Sequence, residues 1–308
     1  MILPPADVVL MIAPLSKLTV RVGCHITYEV SVPTPVLLMI RPRTDENLVL
    51  LETFSFASGL PSYEYQDANG NYACRSMLKP GRNEIRHDAI MEVSTLPDRK
   101  SVGEAAVPVH QIPSSLLRYT LPSRYCDSDK LLNIAWQQFG RVNHGYERVE
   151  AICDWVHRNI EYRFGAGRPD TSASEVISQG YGVCRDFAHV VVALCRAFNL
   201  PARYVTGYLP DIGFATSGSP EDFHAYCEVY LGEKWFTFDA RFNVPRTGRI
   251  KISHGLDAVD CAFSTIYGHA ALSYFEVWAY QVNPKQVTVG SPIDLSRRLD
   301  GVKSIRLG

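Results

Sequence analysis

Tyr181-Gly-Val-Cys-Arg-Asp-Phe-Ala-His189 leads directly into Val190-Val-Val-Ala-Leu-Cys-Arg-Ala-Phe198. Phe187, Val190, Val191, Leu194 and Phe198 recur at helical spacing, so the stretch is an amphipathic helix. Pro201 lies just beyond its end. The turn Gly180-Tyr181-Gly182 precedes it, which puts Cys184 at the helix start. Unpaired backbone N–H groups and the positive end of the helix dipole favour a thiolate there. The same N–H groups suit an oxyanion. Gly182, like Gly180, lets backbone come close to a substrate. The plain alternative is a buried structural cysteine.

Strands are predicted after this helix at 203–208, 224–231 and 234–239. Gly232-Glu233 is a two-residue hairpin connection. If Leu231 pairs with Lys234, Asp239 falls opposite Tyr226, and His224 shares the Tyr226 face. His224 and Asp239 are then diagonal neighbours roughly 7–8 Å apart at Cα. A carboxylate on one imidazole nitrogen fixes the tautomer and frees the other to take a thiol proton. A slip of one residue would put the two on opposite faces. Cys184, His224 and Asp239 are the catalytic candidates.

Working outward, the first third of the chain reads as β. Leu18, Val20, Val22, Cys24, Ile26, Tyr28 and Val30 alternate with mostly polar residues, the pattern of a strand with one buried face. Further strands are predicted at 36–40 and 48–56. A hairpin carries Tyr63 and Tyr65 before Asn69-Gly70, and Tyr72 and Cys74 after it. Pro80-Gly81 makes another turn before the alternating run of Ile85, His87, Ala89, Met91 and Val93. These short strands suggest a β-sandwich. Residues 95–124 hold several prolines and read as a linker. Helices follow: Leu131, Leu132, Ala135, Trp136 and Phe139 share one face, and Val149, Ile152, Cys153, Val156 and Ile160 share another. Ser172 and Glu175 have capping-box spacing, with Gly180 as the stop. A last β stretch is predicted at 274–282.

The expected fold class is therefore α+β. An antiparallel β-sandwich with a loose N-terminal segment occupies 1–110, an α+β domain 111–285, and a tail 286–308. The chain has 308 residues, 46% hydrophobic and 20% charged, which argues against disorder. A net charge of −1 gives no support for nucleic acid or an anionic membrane as partner. The 8 cysteines are scattered, without a C-x-x-C pair, so free thiols in a reducing, cytoplasmic setting are expected. The apolar stretch 1–15 is interrupted by Pro4, Pro5, Asp7 and Pro14, and its first basic residue, Lys17, follows it, unlike a signal peptide. No run approaches the ~18 apolar residues of a membrane span.

Tyr181–His189, Leu200-Pro-Ala-Arg-Tyr-Val-Thr-Gly-Tyr208, Phe223-His-Ala-Tyr-Cys-Glu-Val-Tyr230 and Trp235-Phe-Thr-Phe-Asp239 resemble the bacterial transglutaminase-like cysteine protease family. Trp155-Val-His-Arg-Asn-Ile-Glu-Tyr162 and Gly255-Leu-Asp-Ala-Val-Asp260 match as well. The resemblance spans roughly 127–282, and the β region resembles the extra domain that often precedes this core. It implies a papain-like core, Cys184 as nucleophile, His224 as general base and acid, Asp239 as third member, an acyl-thioester, a peptide or protein amide substrate and no cofactor. Animal transglutaminases usually carry an aromatic residue after the cysteine; here it is Arg185, which weakens any reading of calcium-driven cross-linking. An upstream aromatic helps form the oxyanion hole in the cross-linking enzymes, and Tyr162 is the candidate here.

Tyr181, Gly182, Arg185 and Tyr226 are further substrate or oxyanion candidates. Asp186 reads as a first-turn acid stabilised by the dipole. His189, roughly 140° round the helix from Cys184, reads as structural. Cys195, Cys227 and Cys261 read as core. Glu228 and Tyr230 share the His224 face, and Asp257 and Asp260 read as loop anchors. His224 and Cys227 lack the further ligands of a metal site. Three functions stay open: amide hydrolysis, transamidation through the same three residues, and a non-catalytic binding module.

Overall fold

The computed structural model describes residues 17–45, 47–56, 59, 61–215 and 221–301. The expected loose segment at 1–15 lies outside the described residues. Among the described residues six strands come first: β1 (Lys17–Val30), β2 (Thr34–Leu38), β3 (Leu48–Phe56), β4 (Ser62–Gln66), β5 (Tyr72–Leu78) and β6 (Gly81–Ser94). In β1 the alternating Val20, Val22, Cys24, Ile26 and Tyr28 all enter one core. The β4–β5 turn is held by Asp67, which accepts the N–H groups of Asn69 and Asn71, both at 2.8 Å. Gly70 takes φ +72° in that turn.

Next come α1 (Leu132–Phe139), α2 (Tyr146–Asn159), β7 (Glu161–Tyr162), α3 (Ala173–Gln179), β8 (Tyr181–Gly182) and α4 (Cys184–Arg196). β9 (Ala202–Tyr208), β10 (His224–Leu231), β11 (Lys234–Phe238), β12 (Ile250–Gly255), β13 (Ser264–Ile266) and β14 (Ala271–Gln281) follow. α3 starts on the expected capping box of Ser172 and Glu175 and stops at Gly180 in the left-handed region.

Two four-stranded sheets, β14-β1-β6-β3 and β13-β2-β5-β4, face each other across Val22, Ile26, Val36, Leu38 and Ile85. A third sheet, β11-β10-β9-β12, is antiparallel throughout. It packs α4 through Val191 and Leu194 against Val229 and Phe236. Tyr208, Ile250 and Ile252 of this sheet join the sandwich core, so the two halves share buried surface.

Three elements differ in placement from the sequence-based division. β13 pairs with β2 and β14 with β1, so the range 111–285 returns its last two strands to the first sandwich. Alternation marks a strand but not its distant partner. Residues 95–124 are more than a connector: Gly232 N–H donates to Ala105 O at 3.0 Å and Tyr146 N–H to Glu104 O at 2.9 Å. The C-terminal segment is pinned to β1 and β6, where Asp88 accepts from Arg21 and from Gly290 N–H at 2.6 Å. This segment and Trp278 cover the second face of β1, so Arg21 and Thr27 are buried where one buried face was expected. No helix among the described residues is long and apolar enough to cross a membrane.

Candidate active site

Cys184 is the first residue of α4, preceded by Val183 as N-cap. Valine has no capping oxygen, but Asp186 supplies the reciprocal half of a capping box by accepting Val183 N–H at 2.9 Å. Asp186 also takes Arg185 Nε at 3.0 Å and Nη2 at 2.8 Å. A Cβ on Gly182 would lie 2.7 Å from Asp186 Cβ. Gly182 thus makes room for the capping carboxylate, and it does not line the cleft described below.

The β10–β11 hairpin has the expected register, Leu231 opposite Lys234 and Cys227 opposite Phe238. Gly232 at φ +47° and Glu233 at +67° give the turn its positive φ angles. Asp239 follows directly, and its Oδ2 lies 2.7 Å from His224 Nε2. Arg249 Nη2 donates to the same oxygen at 2.8 Å. Arg249 Nε also bridges both oxygens of Asp98, at 3.0 and 2.9 Å, and its guanidinium lies 4.6 Å from the Tyr226 ring centroid. Burial pushes Asp239 up, but the charges of His224 and Arg249 outweigh it and hold the carboxyl well below its ordinary range. Burial lowers the His224 pKa, against the pull of Asp239.

Cys184 and His224 line one cavity of about 860 Å³, bordered by both halves of the chain. The Cys184 thiol is partly exposed there, with Sγ 3.9 Å from Phe223 O. Burial, then the charge of Asp222, pushes the thiol up to about 11. Desolvation and a neighbouring acid thus oppose the thiolate that a helix start favours. The thiol is raised and the imidazole lowered, directions that favour a neutral pair in this cavity.

Tyr162 and Arg185 line the same cavity. Tyr181 does not; its ring stacks under Arg163 at 4.3 Å. Tyr226 is buried behind His224, ring centroids 6.3 Å apart, and is not part of the cleft wall. Glu228 is buried between Arg203 and Lys251, each at 2.6 Å, and Tyr230 packs on Trp235. His189 stacks between Tyr125 and Tyr204. Asp257 accepts from Tyr125 and Val259 N–H, and Asp260 from Leu256 N–H. Cys195, Cys227 and Cys261 are buried. Among the described residues no cluster of three or more His, Cys, Asp or Glu is placed to hold a metal.

Arg249, Asp98, Asp222 and Arg241 escaped the sequence reading. Asp98 sits in the proline-rich stretch, where no periodicity points inward. Arg249 reaches Asp239 only because β12 pairs with β9, a contact without local signal. Arg241 had one available signal, its place two residues beyond Asp239.

The sequence model of the transglutaminase-like superfamily matches residues 133–240. A solved structure from Cytophaga hutchinsonii, named "Putative Cysteine Protease", is 33% identical, spans 87% of this chain and 92% of that one, and superposes with a TM-score of 0.80. The chain belongs to the transglutaminase-like superfamily. An uncharacterized protein of Mycobacterium leprae is 24% identical over 230 residues, 72% of this chain and 82% of the relative. The human kyphoscoliosis peptidase is 26% identical over 214 residues, 67% of this chain but 30% of that protein. The superfamily match contains Cys184, His224 and Asp239 and ends before Arg249.

Proposed function

We propose that this transglutaminase-like protein is a thiol-dependent amide hydrolase, a peptidase or amidase, with Cys184 as nucleophile, His224 as base and acid, and Asp239 as the residue that orients the base. The observation that carries the reading is the 2.7 Å bond between His224 Nε2 and Asp239 Oδ2, with His224 lining the same cavity as Cys184. An ionised Asp239 accepts only, so Nε2 carries the proton and Nδ1 has a free lone pair. That lone pair takes the Cys184 proton as Sγ attacks the amide carbon.

The carbonyl electrons move to oxygen, and backbone N–H groups at the α4 start are suited to receive that oxyanion. Collapse restores the carbonyl and breaks the C–N bond, while the imidazolium gives its proton to the leaving amine. An acyl-thioester on Cys184 remains. Water then gives a proton to Nδ1 and attacks the thioester; the C–S bond breaks, the acid leaves, and Sγ regains its proton. From a neutral resting pair, proton transfer accompanies attack instead of preceding it.

The test is a panel of fluorogenic peptide amides, read with acid-quenched intact mass. The expected result is turnover and an acyl adduct on Cys184, both lost in Cys184→Ala, with turnover lost in His224→Ala. Equal turnover by wild type and Cys184→Ala on every cleaved substrate would sink the reading.

A further inference from the structure

Six charged side chains border the cavity: Arg185, Asp211, Glu221, Asp222, Arg241 and Arg246. Four already have protein partners. Arg185 is bonded to Asp186, Arg246 to Asp211 at 3.1 Å, and Glu221 to Arg298 at 3.0 Å. Two do not: among the described residues the Arg241 side chain makes no hydrogen bond or ion pair, and Asp222 accepts only the neighbouring Phe223 N–H, at 2.7 Å.

Arg241 is nevertheless fixed in place. Its guanidinium carbon lies 3.7 Å from the Tyr162 ring centroid and 4.7 Å from that of Phe242. Aromatic stacking engages the faces of a guanidinium and leaves its N–H edges open. Those edges form a fork that matches a carboxylate. Arg241 is also close enough to influence the charge of both Cys184 and His224. Burial pushes Asp222 up to about 6, against the Phe223 N–H bond and the nearby charge of Arg241. Among the described residues the Arg241 N–H edges thus stand without a hydrogen-bond partner in the cleft that holds the nucleophile.

We propose that Arg241 binds a carboxylate of the substrate, so that the amide cleaved lies close to a free carboxylate, either a chain terminus or an acidic side chain. This rests on the reading of Cys184 as nucleophile. It narrows the substrate class from amides in general to amides with a nearby anion.

The first experiment uses the thiol itself and needs no substrate. Cys184 is alkylated in parallel with iodoacetate and iodoacetamide, which differ by a carboxylate in place of a carboxamide. In each, an S–C bond forms, iodide leaves, and the thiol proton goes to His224 and then solvent. The rate ratio, divided by the same ratio for glutathione, is expected to be about ten or more in wild type. It should fall to about one or less in Arg241→Gln and be partly restored in Arg241→Lys. An equal ratio in wild type and Arg241→Gln overturns the proposal.

If Cys184 reacts with neither reagent, the hydrolase reading fails, and calorimetry on Cys184→Ala decides the anion site separately. The probes are acetyl-trialanine as free acid, the same peptide as amide, and acetyl-Ala-Glu-Ala-amide. Tighter binding of the first alone points to a chain terminus, and of the third to an acidic side chain. Either preference must vanish in Cys184→Ala/Arg241→Gln. Equal binding of all three, or no binding, overturns the proposal.

Discussion

Arg249→Met removes the guanidinium on Asp239 and keeps most of the side-chain volume. Two consequences follow from the geometry. The first is on stability: Asp239 and Asp98 are both left near each other without the guanidinium that lies between them. Stripping one partner from a buried ion pair costs about 3–5 kcal/mol. The second is on His224. Its Nε2 and Arg249 Nη2 reach the same oxygen, at 2.7 and 2.8 Å. The two nitrogens are therefore separated by about 5 Å, and two unit charges at that distance repel by about 3 kcal/mol at an effective dielectric near 20, or about 2 pKa units. Arg249 disfavours the imidazolium, as the lowered His224 pKa reflects after burial and the opposing pull of Asp239. Removing it must raise the His224 pKa, by about 1–2 units once relaxation is allowed for. The assay is titration of the His224 ring by ¹³C NMR, assigned against His224→Gln, with urea unfolding at pH 7 as companion. On the acid side, kcat/KM should need a correspondingly higher pH. A folded Arg249→Met protein whose His224 pKa is unchanged or lower refutes the role given to Arg249.

Asp222→Asn removes the acid that, after burial, raises the Cys184 thiol, so the pH midpoint of Cys184 alkylation should fall by on the order of one unit; a rise would contradict the charge assignment. Gly182→Ala forces a Cβ against Asp186, 2.7 Å from its own Cβ, and should cost about 1–3 kcal/mol in urea unfolding, with weaker alkylation of Cys184 as the helix start shifts. Stability should fall as pH drops from 7 to 4. Burial first, then Arg203, holds His254 down to about 3, and burial pushes His189 and His224 below their ordinary value too, so the unfolded chain binds more protons in that range. Each neutral histidine stabilises the fold above its unfolded pKa, near 6.5, and that contribution is lost as pH falls towards its folded value. Asp222, raised to about 6, acts in the opposite sense, its contribution present at low pH and lost as pH rises through that value. Two carboxyls work with the histidines at the acid end, where His224 and Arg249 hold Asp239 low and its ion pairs hold Glu228 low. A flat urea midpoint between pH 7 and 4 would contradict the burial of these rings.

What was legible in the sequence is local or nearly so. The β10–β11 register followed from one two-residue turn, and it brought His224 to Asp239 because 15 residues of hairpin leave little freedom. Cys184 was placed by the period of the helix behind it. Neither signal extends to the charge that sets the site. Arg249 arrives on β12, Asp98 from a stretch without pattern, and Asp222 from just ahead of β10; each meets the site through tertiary packing. The same distinction explains the expectation about the thiol. A helix N-terminus is visible in sequence and favours the anion, whereas desolvation and Asp222 appear only after folding and oppose it. Sequence thus reports which groups can react, and packing decides their resting protonation. On the proposed function the consequence is mechanistic: the base removes a thiol proton during attack, so the position of His224 on Asp239, and of Asp239 on Arg249, bears on rate.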